Sequence, residues 1–319
     1  MPTLKKIGVI VLRISISLLL LVFLFNQIKP GSLLEIIKGA EKPLLFLSFL
    51  VTFLGYYFCY LRWKMLLETS GIFLSRKRLV SAFSGGIFFN TFLPSTIGGD
   101  FVRSADIGYH SKKTSTAVAT VLLDRLSGFT GMMIVALSAL ILGAGSIKDN
   151  IVIVSVWILS GILLAVLLLT FNDHLSRMLV NLLRLRRPGG KIRAGFLSVL
   201  LQMRDFKRHK PVILKNLLFS VVIQMVGPVT TCMIAYSFHL QVNMLYFFLF
   251  VPIISAITLL PISIGGLGVR DYATILLFAG VGISKHSAFA ISLLGFVFIL
   301  VYAGIGGLIY VLTLHHRRV

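Results

Sequence analysis

The chain of 319 residues is 57% hydrophobic and only 13% charged, with a mean hydropathy of +0.97. A water-soluble domain carries about 25% charged residues, so the composition excludes a soluble enzyme or binding module and indicates an all-α polytopic membrane protein. The net charge of +21 would suggest a nucleic-acid partner in a soluble protein. Here the basic residues lie in short segments between apolar runs, where they orient the chain and meet anionic headgroups, and no nucleic acid is expected.

Lys5, Lys6 and Arg13 precede the apolar run 14–25. No small-residue cleavage site stands before Asn26-Gln27, so the run reads as a first spanning helix rather than a signal peptide. A full span needs about 20 apolar residues, which places six spans at 7–28, 43–66, 114–142, 150–171, 211–236 and 286–313. Cys59 and Cys232 each lie alone in an apolar run and read as packing residues, not as a disulfide or metal pair.

Two further apolar stretches, 79–109 and 243–280, are each interrupted by helix breakers. The interruptions read Leu93-Pro94-Ser95-Thr96-Ile97-Gly98-Gly99-Asp100-Phe101-Val102-Arg103 and Leu260-Pro261-Ile262-Ser263-Ile264-Gly265-Gly266-Leu267-Gly268-Val269-Arg270, with seven of eleven positions shared at an offset of 167. The match indicates an internal duplication. The segment before Pro94 is about 14 residues, roughly 21 Å at helical rise, and holds Ser84-Gly85-Gly86 and Asn90. It is too short and too polar to cross, so a re-entrant helical hairpin is expected there and, by analogy, in the second copy, although 243–259 is long enough to leave a span open.

With the N-terminus in the cytoplasm, 22 Lys/Arg fall in inner segments and 5 in outer ones, a strong positive-inside bias with both termini inside. Hairpin 1 then enters from the cytoplasm and hairpin 2 from outside. A single membrane domain, 1–319, is expected, with inverted halves 1–142 and 150–313. A cytoplasmic segment, 172–210, joins them in part. Leu175, Met178, Leu179, Leu182 and Leu183 share one helical face there, as do Ile192, Phe196, Val199, Leu200 and Met203, with a turn at Arg186-Arg187-Pro188-Gly189-Gly190. Two amphipathic helices on anionic inner-leaflet lipid fit this pattern. Inverted repeats with broken helices are a transporter architecture, and the breaks point to the binding site.

Ionisable residues within the membrane are costly and need a reason. They are Asp100, Arg103 and Asp106 in hairpin 1, Asp124 and Arg125 in the third span, and Arg270 and Asp271 in hairpin 2. Asp124 sits roughly 15 Å into its helix, and its neighbour Arg125 points about 100° away, so one of the two is expected to meet a hairpin charge. Helix halves restarting after Gly98-Gly99 and Gly265-Gly266 would aim free N–H groups at an anion. Arg103 and Arg270 would add bidentate donors suited to phosphate. Asn90, Thr96 and Gln224 read equally as polar contacts between helices, and Arg62 as a snorkelling anchor at a helix end. No Ser-His-Asp arrangement, zinc spacing or P-loop is present, so neither catalysis, metal nor cofactor is expected.

Four ordered motifs carry a resemblance. Phe88-Phe89-Asn90-x-x-Leu93-Pro94, Gly98-Gly99-Asp100-x-x-Arg103, Leu123-Asp124-Arg125-x-x-Gly128 and Ile264-Gly265-Gly266-x-Gly268-x-Arg270 resemble the lysylphosphatidylglycerol synthase transmembrane, or flippase-like, family over nearly the whole chain. The family's second motif usually ends Arg-Glu, where this chain has Arg270-Asp271. The resemblance implies movement of aminoacylated phosphatidylglycerol between leaflets, and other members are linked to lipid-carried sugars. Only six residues follow Thr313, so a stand-alone member without the soluble synthase domain is expected. The expected function is a cell-membrane flippase for a phosphate-bearing lipid, with homo-oligomerisation left open. The rivals are an intramembrane enzyme using Asp100 and Asp124, and a scaffold for a lipid-modifying enzyme.

Overall fold

The computed structural model describes residues 15, 19–20, 22–24, 30–93, 98–143, 150–172, 174–175, 178, 191–259 and 263–315. Among them there is no strand. Five helices are long and apolar enough to cross a membrane: α2 (Lys42–Thr69), α5 (Thr114–Leu142), α6 (Asn150–Phe171), α8 (Lys210–Ser237) and α11 (Lys285–His315), after a short α1 (Pro30–Lys38). They coincide with five of the six expected spans, and the sixth, 7–28, lies largely outside the described residues. Prolines stand in the first turns of α2 and α8, where a missing N–H costs nothing.

Each broken stretch forms two shorter helices. The first gives α3 (Arg76–Phe92) and α4 (Gly98–Ser111), of 17 and 14 residues. The second gives α9 (Met244–Leu259) and α10 (Val269–Ala279), of 16 and 11 residues, with a 3₁₀ turn at Ile264–Gly266 between them. All four fall short of the roughly 20 residues a span needs. The intervening residues 94–97 and 260–262 lie outside the described residues.

Water does not drive helices together in a bilayer, so close packing and interhelical hydrogen bonds must. Helices α2 and α8 run antiparallel: the Glu41 N–H donates to Ser237 O at 2.9 Å at one end, and Thr52 and Thr230 hydroxyls meet at 3.2 Å further along. Glycines mark the tightest crossings. A methyl on Gly131 would come within 2.6 Å of the Ser220 backbone, bringing α5 onto α8. Gly306 allows α11 to approach Ser84 of α3, where an added Cβ would sit 2.7 Å from its carbonyl oxygen. Helix α9 packs on α5, and α10 on α11. Between them lies an aromatic core in which Phe278 touches Phe247 and Phe250 at centroid distances of 5.1 and 5.2 Å.

Within residues 172–210, the second of the two expected amphipathic helices is α7 (Lys191–Asp205). Its Val199 and buried Met203 pack with Leu66, Ala119, Leu123 and Phe206, so part of its apolar face covers α2 and α5. The first amphipathic helix falls largely, and the 186–190 turn wholly, outside the described residues.

Candidate functional site: a buried arginine–aspartate cluster

Three helices, α2, α4 and α5, bring five charges together. Asp124 of α5 is the hub. Its Oδ1 accepts from Arg62 Nε at 2.8 Å and its Oδ2 from Arg103 Nη2 at 3.0 Å. Asp100, at the start of α4, accepts at Oδ2 from Arg125 Nε at 2.7 Å. Its Oδ1 faces Arg103 Nε at 3.2 Å as an ion pair whose angle is too poor for a hydrogen bond. Arg62 also donates from Nη1 to Ser220 Oγ of α8 at 3.0 Å, and the Arg103 guanidinium lies over the Trp63 ring at 4.8 Å. The side chains of Arg62 and Arg103 are 6% exposed, whereas that of Arg125 is 35% exposed.

Asp124 and Arg125 therefore do not bond to each other, and both meet charges of α4, where a single such contact was expected. Consecutive helix positions diverge by about 100°, and α4 supplies a charge of the right sign to each: Arg103 to Asp124 and Asp100 to Arg125. Arg62, expected to be a snorkelling anchor, is buried and bonded to Asp124. The span expected at 43–66 left Arg62 four residues from its end, a weak signal, whereas α2 runs on to Thr69 and sets Arg62 roughly 10 Å inside it. Ser220 and Trp63 carried no such signal.

The cluster walls a cavity of about 450 Å³, which Asn90, Gly128, Gln224 and Gly265 also line. Its sides include Tyr56, Phe129 and Phe296. Three guanidiniums face two carboxylates, so one positive charge exceeds the anions of the cluster. A charge removed from water calls for a partner, and an anion entering beside the partly exposed Arg125 would supply one. No group of three or more His, Cys, Asp or Glu side chains among the described residues is placed to hold a metal.

The glycines of the first motif act differently from the expectation. The Gly99 N–H is already bonded to Asn90 Oδ1 at 2.8 Å, so this amide is not free for a ligand. A Cβ on Gly99 would fall 1.9 Å from Gly86 O, and glycine here lets α3 and α4 touch. Gly98 would meet Leu93 at 2.7 Å and does not line the cavity.

In the second motif, Gly265, Gly266 and Gly268 have φ of +57°, +77° and +78°, which side-chain-bearing residues resist. They turn the chain into α10. There the Gly268 N–H donates to Asp271 Oδ2 at 3.0 Å. Arg270 Nη2 donates to Asp271 Oδ1 at 2.6 Å, Arg270 Nε to Ser292 Oγ at 3.0 Å, and Ser292 Oγ to the same Asp271 oxygen at 2.5 Å. The Arg270 charge is thus matched by its neighbour. Arg270 lines a separate cavity of about 240 Å³ with Thr52, Thr230, Ser255, Thr274 and Ser292. Phe296 and Ile299 line both cavities, and the Phe296 ring lies 4.6 Å from the Arg270 guanidinium. The expected site residues thus divide. Asn90, Asp100, Arg103, Asp124, Arg125 and Gly265 share one cavity, Arg270 faces another, and Gly98, Gly99, Gly266 and Asp271 support the backbone behind.

The offset that relates the two motifs recurs at one more pair of positions. Gly128-Phe129 of α5 and Gly295-Phe296 of α11 stand at the same 167-residue offset, and both phenylalanines line the cluster cavity. The family model of the lysylphosphatidylglycerol synthase TM region matches residues 10–307 of the chain. No curated protein and no solved structure matches it.

Proposed function

The chain belongs to the lysylphosphatidylglycerol synthase TM region family, whose membrane domain is tied to lipid handling, and from that premise we propose that it is a transporter moving a phosphate-bearing lipid between leaflets. The substrate is an anionic or aminoacylated phospholipid or a lipid-linked glycan carrier. The observation that carries this reading is the charge count around the cluster cavity: Arg62, Arg103 and Arg125 against Asp100 and Asp124. A phosphate matches the surplus guanidinium charge and the bidentate geometry of arginine.

In this reading Arg125, the most exposed of the three, meets the headgroup first. Asp100 and Asp124 hold the guanidiniums in place while the cavity is empty and yield them in part when phosphate arrives. The headgroup then passes Phe296 and Ile299 into the second cavity, where it engages Arg270 only as Arg270 loosens from Asp271. The four short helices are two re-entrant hairpins entering from opposite faces, and the halves form an inverted repeat. The contact pattern supports this, because α3 of the first half packs on α11 of the second, and α9 of the second on α5 of the first. The chain sits in the cell membrane with both termini in the cytoplasm, and the protein's part is binding and passage rather than catalysis.

The test is a leaflet-accessibility assay with fluorescent phosphatidylglycerol in reconstituted liposomes. Arg125→Ala is expected to fold and to slow lipid movement at least about tenfold, since a hydrogen bond to a charged group contributes roughly 1.5–3 kcal/mol. Arg125→Lys restores part of the rate, its point charge lacking the planar fork. Unchanged movement in Arg125→Ala would remove the cluster from the transport path.

A further inference from the structure

A second ligand site lies on the other side of α5. Helical spacing gives α5 two faces: Asp124, Arg125 and Gly128 look into the cluster cavity, while Leu123, Leu126, Ser127 and Thr130 line a separate cavity of about 320 Å³. No residue lines both. The walls of the second space are mostly apolar, from Leu66, Leu167, Phe206 and Leu217 among others. Ser127 and Thr130 spend their hydroxyl hydrogens on carbonyls one turn back in their own helix, at 2.6 and 2.8 Å. Two polar groups stand apart from this wall. Lys207 brings a positive charge where α7 gives way to α8. Asn216 of α8 is 3% exposed, and its Nδ2 is a buried donor with no hydrogen-bond partner.

A buried amide without an acceptor calls for a molecule that supplies one. An apolar space of a few hundred Å³ with a few placed polar groups has the character of a ligand pocket. We propose that this cavity holds one anionic glycerophospholipid as a bound, non-transported lipid. An acyl chain lies against the leucine wall, an ester carbonyl accepts from Asn216 Nδ2, and the phosphate faces Lys207. The surrounding sequence favours an anionic lipid over a neutral one, since Arg204, Lys207, Arg208, Lys210 and Lys215 fall within a stretch whose one acid is Asp205.

The site is wired to the cluster without sharing its space. Ser220 Oγ donates to the Asn216 carbonyl oxygen at 2.8 Å and accepts from Arg62 at 3.0 Å, and Arg62 holds Asp124. A lipid wedged between α5, α8 and the end of α7 braces the helix that carries Asp124 and Arg125. Occupancy of this site does not depend on the transport reading; only its effect on the cluster does.

The experiment is native mass spectrometry of the full chain carrying Arg125→Ala, which disables the cluster, incubated in detergent with equal amounts of phosphatidylglycerol and phosphatidylcholine. One phosphatidylglycerol per chain is expected to remain bound. Adding Asn216→Leu, which is of similar size and keeps the backbone carbonyl, is expected to reduce retention at least tenfold. Leu126→Trp, filling the space from the opposite wall, is expected to do the same, so the result does not rest on one variant folding. Equal retention with and without these substitutions overturns the site. So does equal retention of the two lipids, or no lipid in any sample, which would leave the cavity to water. Loss of lipid movement in Arg125→Ala with retention intact would separate this site from the transport path.

Discussion

The two copies of one motif have been put to different physical uses. In the first, Arg103 reaches away from its own helix to Asp124 on α5, which also holds Arg62 from α2, so one carboxylate ties three helices. In the second, Arg270 turns to the adjacent Asp271 and to Ser292 of α11, and Asp271 caps the turn at Gly268. The glycines divide in the same way. Gly99 is needed because another backbone lies against it, whereas Gly265 and Gly266 are needed for their positive φ. The 167-residue offset between the motifs also relates Arg125 of α5 to Ser292 of α11, a cation to a neutral hydroxyl. The difference teaches that one sequence pattern breaks the helix in both places, while the partners around each break decide whether it surrounds a charged cavity or closes on itself.

That contrast can be broken or sharpened by substitution. The largest effect is expected at Asp124. Asp124→Asn leaves two buried guanidiniums sharing a neutral amide, a loss of about 3–5 kcal/mol as for a broken buried pair. It would be read as a sharply lowered melting temperature in detergent. Asp271→Asn takes a carboxylate from one guanidinium rather than two, and Arg270 keeps the Ser292 hydroxyl. The expected loss is about 1.5–3 kcal/mol, so a larger fall than in Asp124→Asn would show that the second copy, not the first, is the structural hub. The smallest effects separate the two kinds of glycine. Gly99→Ala drives a methyl into Gly86 O and should cost about 1–3 kcal/mol through overpacking, with α3 and α4 forced apart. Gly265→Ala meets nothing closer than Thr91 O at 3.4 Å and should cost only about 1–2 kcal/mol, for its left-handed backbone. Matching crosslinking of cysteine pairs across α3 and α4 in the two variants would erase the distinction.

The spans were legible because the bilayer imposes a length. A run of about 20 apolar residues has one use in a membrane, and α5 and α6 begin and end where their composition changes. The broken stretches were legible through Pro and Gly-Gly, whose backbone chemistry is local. The presence of charges deep in apolar segments was equally plain, and it singled out Asp100, Arg103, Asp124 and Arg125 before any fold was known. Their pairing was not. Which guanidinium meets which carboxylate depends on how α2, α4 and α5 cross, and nothing local in the sequence links Arg62 to Asp124, 62 positions further on. For the same reason Arg270 resembled Arg103 in sequence while its surroundings made it a locally neutralised group. Chain composition determined that this protein lives in a bilayer and where its helices break, because hydropathy and backbone stereochemistry are properties of single residues and short runs. The tertiary structure decided which charges remain in surplus around a cavity, because electrostatic matching is settled only when distant helices are brought within hydrogen-bonding distance.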